Sequence, residues 1–395
     1  MKIGSPSFFD DPHVQRVFAA LDGHGEELRV VGGAVRNHFM GKPVHDIDLA
    51  TTATPDVVIA RAAKAGLKSV PTGIDHGTVT LIVDHVPFEI TTLREDVDTD
   101  GRRATVLFGR DFKKDALRRD FTFNALSVGA NGIVHDYADG MRDIEMRHVR
   151  FIGDPATRIR EDYLRILRYF RFHAAFSENT ADPAALQAIL HQREGLNGLS
   201  RERVRAELIK LFETEGAADT LALMSGFGLV MPLLGGVYCT TRLARIPHEC
   251  DAILKLASLA MLKREDAARL QDCLRLSNAE TQRLSRAAQA SEKISRATEP
   301  DTHHIRICLM LFGRQATCDA LMLAGFEEAC AQAQSLNEPK LPLNGADLLA
   351  RGMSPGRAIG EMLNEIQKRW IQKGFPENPE AFEQIVTEAL AARAK

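Results

Sequence analysis

Apolar residues change their spacing once along this chain, near Gly153-Asp154-Pro155, and that change limits the folds open to it. Before it, short runs rich in β-branched residues recur at 28–31, 47–51, 78–83, 86–93, 125–128 and 133–135. Runs of this length and composition read as strands. Asp84-His85 and Asn131-Gly132 separate consecutive runs, and the second dipeptide suits the positive φ angles of a type I′ hairpin. Helices fit between the strands at 34–40 and 55–65. After the change, Ile159, Leu164, Ile166, Leu167, Phe170 and Phe172 sit at helical spacing, and nearly everything beyond them reads as helix. The expected class is α+β: a mixed head followed by a long all-α remainder. A chain of 395 residues has room for two to four packed units.

A hydrophobic share of 45% and a charged share of 26% exclude a disordered chain. No apolar run approaches the roughly 20 residues that span a bilayer, and the N-terminus lacks a signal-peptide pattern. A cytoplasmic protein with no membrane partner is the expectation. The six cysteines form no CxxC pair, so reduced core thiols are expected in place of a metal or redox site. The net charge of −3 does not suggest nucleic acid, but its distribution does. Seven Lys/Arg fall between Arg102 and Arg119, and eight Arg between Arg142 and Arg171. Such enrichment either tracks phosphates or marks solvated helix faces.

Val30-Val31-Gly32-Gly33-Ala34-Val35-Arg36 reads as strand, glycine turn and helix. Glycines let a backbone approach a ligand closely, and a helix start offers free N–H groups to a phosphate, although most Gly-Gly turns bind nothing. In His45-Asp46-Ile47-Asp48-Leu49, strand alternation projects Asp46 and Asp48 together and turns Ile47 inward. Two adjacent carboxylates repel unless a cation lies between them, and Mg²⁺ takes one or two carboxylates plus water and phosphate oxygens. A turn-initiating aspartate pair has the same spelling. Glu89, inside the apolar run Pro87-Phe88-Glu89-Ile90-Thr91, is either a third acidic group for a two-metal clamp or a charge on an edge strand.

Gly32-Gly33-Ala34-Val35-Arg36 followed by Asp46-Ile47-Asp48 resembles the signature of polymerase-β-type nucleotidyltransferases. Three further segments resemble the class II branch, which holds CCA-adding enzymes and bacterial poly(A) polymerases. They are Asp100-Gly101-Arg102-Arg103, Arg118-Arg119-Asp120-Phe121-Thr122-Phe123-Asn124-Ala125, and Asp154-Pro155 leading to Arg158-Ile159-Arg160-Glu161-Asp162-Tyr163-Leu164-Arg165. Order and spacing match over residues 28–172; beyond about 215 the likeness is a general helical one. The resemblance implies a catalytic head (1–145), a helical neck with a nucleotide-selecting helix (146–215), a helical body (216–335) and a tRNA-binding helical tail (336–395). It implies Mg²⁺ on Asp46 and Asp48 with Glu89 as third catalytic acid, and tRNA, CTP and ATP as partners. Nucleotide contacts are implied for Gly32, Gly33, Arg36, Arg118, Arg119, Asp120, Asn124, Glu161, Asp162, Arg165 and Arg168. Asp100, Arg102 and Arg103 fall in a flexible loop.

Within the family, Gly73-Ile74-Asp75-His76-Gly77-Thr78 and Phe88-Glu89-Ile90-Thr91-Thr92-Leu93-Arg94 look like the CCA-adding type. A poly(A) polymerase and a catalytically inactive RNA-binding relative are the alternatives. Asp162 and Arg165, three apart, are expected on one helix face with Glu161 orienting Arg165. An aspartate there accepts from the exocyclic amine of cytosine or adenine, where uracil and guanine present a carbonyl oxygen. One departure is plain. The family's first motif usually ends in Asp, and this chain has Asn37, read as a local hydrogen-bonding residue.

Overall fold

The computed structural model describes residues 6–74, 77–96, 106–177, 181–294 and 300–393. The chain divides into two compact units, Met1–Arg203 and Val204–Lys395.

The first unit is built on a seven-stranded sheet in the order β3-β4-β5-β2-β1-β8-β9. Its strands are β1 (Leu28–Val31), β2 (Leu49–Thr51), β3 (Lys68–Gly73), β4 (Thr78–Val83), β5 (Val86–Thr92), β8 (Ser127–Gly129) and β9 (Val134–His135). A separate ribbon pairs β6 (Arg94–Asp96) with β7 (Val106–Phe108). Only β2 and β5 run parallel; the other neighbours in the sheet are antiparallel. β1 lies inside the sheet, between β2 and β8, and is buried at all four positions. Helices α1 (Pro12–Leu21) and α3 (Pro55–Lys64) pack on each other and on β4, burying Val14, Val17, Leu21, Val58 and Ala62. Each valine or leucine side chain among them taken from water contributes roughly 1.5–3 kcal/mol. Both helices start with Pro at their first position, where the missing N–H costs nothing.

The remaining helices of this unit are α2 (Gly33–Phe39), α4 (Phe112–Leu117), α5 (Gly140–Glu145), α6 (Pro155–Glu161), α7 (Leu164–Phe176) and α8 (Pro183–Gln192). An aromatic core ties α7 to the head. Phe121 lies 4.8 Å from Phe151, Phe123 4.9 Å from Phe176, and Phe151 5.7 Å from Tyr169, ring centre to ring centre. The two phenylalanines of Asp120-Phe121-Thr122-Phe123-Asn124 thereby seat the polar residues around them against α7.

Several local expectations are corrected. Strand β3 has no apolar run, because an edge strand buries little, and the sequence pattern misses it. The extended run at 47–51 is a ladder strand only from Leu49. Among Asn131 and Gly132 only the glycine has positive φ, whereas Asp84 and His85 both do (47° and 72°), so the primed-type geometry sits at the turn without glycine. The longest apolar helix also exceeds expectation. Thr302–Ala324 is long and apolar enough to cross a membrane by composition, yet Gly313 breaks it and its Asp319 is buried and ion-paired with Arg283. It is a core helix.

Among its described residues the second unit is helix and connecting turn only. One core cluster gathers Ile294, Ile305, Leu309 and Leu321; another gathers Leu348, Met362, Ile366, Trp370, Phe382 and Ile385. Trp370 is part of the second cluster's buried core. Cys308 and Cys330 are buried, and burial pushes the Cys330 thiol up to about 12. Arg351, Arg357 and Arg369 are each ion-paired to a glutamate of their own unit.

Candidate active site

The glycine turn after β1 is required at its first position. Gly32 has φ 66°, and a Cβ there would lie 3.2 Å from Nη1 of Arg119. Arg36, one turn into α2, folds back beneath it. Its Nε and Nη2 donate to Oδ1 of Asn37 (3.1 and 2.8 Å), and its Nη1 donates to Oδ1 of Asn124 (2.7 Å). Burial, with Arg171 and Arg168 nearby, pulls the Arg36 guanidinium down to about 10, against the opposing pull of Asp120. Asn37 also donates to the carbonyl of Pro43 (3.1 Å), in the loop that leads to Asp46. The residue that departs from the family pattern is thus a local hydrogen-bonding group tied to Arg36.

Asp46 and Asp48 stand immediately ahead of β2, both exposed, with Ile47 half-buried between them. The backbone is already aligned there, since Val31 N–H donates to the Asp48 carbonyl (3.0 Å). Leu49 pairs with Ile90 in the parallel β2–β5 ladder, which sets Asp48 level with Glu89. Because β5 is paired on both sides, Glu89 is not an edge-strand charge. Asp48 is reachable by water but crowded by protein. Burial raises its carboxyl above the usual range, Glu89 and then Asp46 raise it further, and Arg119 opposes them. The three acids therefore share one electrostatic neighbourhood. Among the described residues no three acidic, His or Cys side chains close around an ion by themselves. An open set of carboxylates suits a hard divalent cation that completes its shell with water and phosphate oxygens.

The Arg118-Arg119-Asp120 segment leaves α4 with both arginines gripping Asp115, which is buried. Arg119 also donates to the Asn124 carbonyl (3.2 Å). Asp120 accepts from Arg168 Nε (2.6 Å), from Asn124 Nδ2 (3.1 Å) and from the Phe121 N–H (2.9 Å). Burial acts to raise its carboxyl, but these donors, Arg168 above all, outweigh it and hold the group below the usual range. Arg168, Asp120, Asn124 and Arg36 thus form one continuous network from α7 to α2.

The single-helix expectation for Asp162 and Arg165 is corrected. Asp162 lies in a break between α6 and α7 with extended backbone (φ −156°, ψ 108°). A turn bond from Arg165 N–H to the Asp162 carbonyl (3.0 Å) keeps the two close in the chain. Glu161 is ion-paired with Arg165, as expected, and also accepts from Arg158 (3.0 Å). Arg158 donates to the Leu117 carbonyl (2.9 Å), and Arg165 to the Arg158 carbonyl (2.9 Å). Asp162 Oδ1 accepts from Leu164 N–H (3.1 Å) and its Oδ2 from Arg203 Nη2 (2.7 Å). Asp100, Arg102 and Arg103 lie outside the described residues. The sequence reading gave no role to Asp115, Arg158 or Arg203. The i,i+3 and i,i+4 spacing of Asp115 to Arg118 and Arg119 was a usable signal, whereas nothing local singles out Arg203.

Two family models match the chain: "Poly A polymerase head domain" over residues 28–150, and "Probable RNA and SrmB- binding site of polymerase A" over 180–237. A mitochondrial CCA tRNA nucleotidyltransferase 1 from Danio rerio is 34% identical over 363 residues, covering 88% of this chain and 84% of that protein. The CCA-adding enzyme of Limosilactobacillus fermentum is 33% identical, covering 90% and 91%. Among solved structures, the Bacillus stearothermophilus CCA-adding enzyme in complex with CTP superposes with a TM-score of 0.77 at 26% identity, covering 97% of this chain and 99% of that one.

Proposed function

The chain belongs to the CCA tRNA nucleotidyltransferase family, and we propose that it adds C, C and A to the 3′ end of tRNA from CTP and ATP without a nucleic-acid template. The observation that carries this reading is the grouping of Asp46, Asp48 and Glu89 beside Arg119, at the mouth of the glycine turn. The family typically uses a divalent metal, and Mg²⁺ on Asp46 and Asp48 is the ion assigned here. Bound there, it would lower the pKa of the attacking 3′-hydroxyl and neutralise charge on the α-phosphate.

The chain's own groups do the rest. Arg36, Arg118 and Arg119, each braced by Asn37, Asn124 or Asp115, supply positive charge to the phosphates and to the departing pyrophosphate. Glu89 adds to the negative potential that draws a cation to Asp46 and Asp48. Asp120 and Asn124 hold Arg168 and Arg36 in place and line the position assigned to the ribose. Asp162 and Arg165 present an acceptor and donors to the base edge. A wrong base leaves those groups unpaired, which can reject it by about 10⁴-fold. Gly32 and Gly33 let the backbone approach the triphosphate. The division into head (1–145), neck (146–215), body (216–335) and tRNA-binding tail (336–395) belongs to this reading.

The test is incorporation into tRNA lacking its last three nucleotides, with CTP alone, ATP alone and both together. Extension that stops after C, C and A supports the reading. A long adenosine tract from ATP alone would make the chain a poly(A) polymerase, and no extension at all would leave an RNA-binding relative.

A further inference from the structure

We propose that Asp115 is a positioning residue for the triphosphate, acting through Arg118 and Arg119; the inference rests on the reading of those two arginines as phosphate contacts. Asp115 lies on α4 with its side chain buried, at i,i+3 and i,i+4 spacing from the arginines that leave the helix end. The bonds divide between its two oxygens. Oδ1 accepts from Nε (2.9 Å) and Nη2 of Arg118, and Oδ2 accepts from Nε (3.3 Å) and Nη2 (3.2 Å) of Arg119. One edge of each guanidinium is thereby spent, and the direction of the remaining corner, Nη1, is fixed by it. For Arg119 that corner donates to the Asn124 carbonyl (3.2 Å) and lies 3.2 Å from where a Cβ would stand on Gly32. It faces the glycine turn to which the triphosphate is assigned.

The helix that carries Asp115 is tied to the same part of the sheet. Phe112, its first residue, shares a core cluster with Val31, Ala50 and Leu93. Val31 precedes the glycine turn, and Ala50 stands just beyond Asp48 on β2. The Arg29 guanidinium covers the Phe112 ring at 3.9 Å, and Ala116 packs with Ala125 and Ile152. α4 therefore holds Asp115 in a set relation to the turn and to the acids. Stability does not demand a carboxylate there, since well-packed apolar side chains often replace a buried ion pair without loss. Arg118 and Arg119 each keep about a quarter of the side chain open to solvent (27% and 26%), so a phosphate can reach their unspent N–H groups. A buried acceptor beneath two accessible donors aims their charge.

Steady-state incorporation of CTP into tRNA lacking its terminal CCA, and of ATP into tRNA ending in CC, tests this with inorganic pyrophosphate as the inhibitor. Pyrophosphate is the probe because it carries the phosphates without a base. Asp115→Asn is expected to raise the KM for both nucleotides and the pyrophosphate inhibition constant by about tenfold each. The kcat/KM ratio of CTP to UTP should stay at the wild-type value, since the base is read elsewhere. Asp115→Glu keeps the charge one methylene further out and should recover part of the loss. Wild-type constants in Asp115→Asn, or in Asp115→Glu should Asp115→Asn not fold, would overturn the role of Asp115. So would tighter pyrophosphate inhibition, a loss confined to one nucleotide, or a fall in kcat alone, the mark of a purely structural residue. Unchanged pyrophosphate inhibition in the double variant Arg118→Ala/Arg119→Ala would overturn the phosphate assignment and this inference with it. Absence of extension by the wild-type chain would instead overturn the proposed function.

Discussion

Glu89 stands level with Asp48 on a neighbouring parallel strand, one residue before the paired Ile90 and Leu49. Burial raises the Asp48 carboxyl above its usual range, and the neighbouring Glu89 charge raises it further. A cation between the aspartates would relieve the repulsion.

Removing that charge should therefore remove the chemistry. Asp46→Ala and Asp48→Ala are each expected to lose essentially all incorporation while CTP still binds. A chelator should stop the wild-type protein and added Mg²⁺ restore it. Labelled-CTP incorporation and equilibrium binding, run side by side, check this; near-normal turnover in either variant discards the assignment.

Arg168 should stabilise the fold in a pH-dependent way through Asp120. The Asp120 carboxyl is held below the usual range, so its contribution is present above the ordinary aspartate pKa and is lost as pH falls through the depressed folded value. Arg168→Ala leaves a buried carboxylate without its main partner and is expected to cost about 3 kcal/mol at neutral pH. The gap to wild type should shrink as pH drops below about 4. Urea unfolding across pH measures it, and a gap independent of pH would contradict the pairing.

Asn37 should matter for holding Arg36 and not for its own charge. Asn37→Ala removes an acceptor from a guanidinium, which is worth roughly tenfold in the KM for CTP and ATP. Asn37→Asp keeps that oxygen and should stay close to wild type. Steady-state kinetics on the two variants decide, and equal KM values would detach Asn37 from nucleotide binding.

Gly32 and Gly33 should respond differently to the same substitution. At Gly32 an alanine meets both a positive φ and Arg119, so Gly32→Ala is expected to destabilise by about 1 kcal/mol and to depress incorporation much further. Gly33 has neither a positive φ nor a contact closer than 3.6 Å. Gly33→Ala should be the milder of the two; thermal melting with incorporation assays compares them.

The change of apolar period near residue 154, the glycine turn and the Asp46/Asp48 pair were legible without coordinates. Each depends on residues a few positions apart, whose relative placement the local backbone geometry dictates. Strand β3 was hidden because an edge strand needs no apolar run, and the break at Asp162 because the flanking residues keep a helical spacing across it.

From sequence alone, the chain determined which segments are extended or helical and which acids travel together. Tertiary structure alone decided which distant groups meet: Glu89 with Asp48 through the β2–β5 register, Asp120 with Arg168 through the aromatic core, and Asp162 with Arg203 across 41 residues. Such pairings follow from how whole elements pack and in what register, and no single segment carries that information.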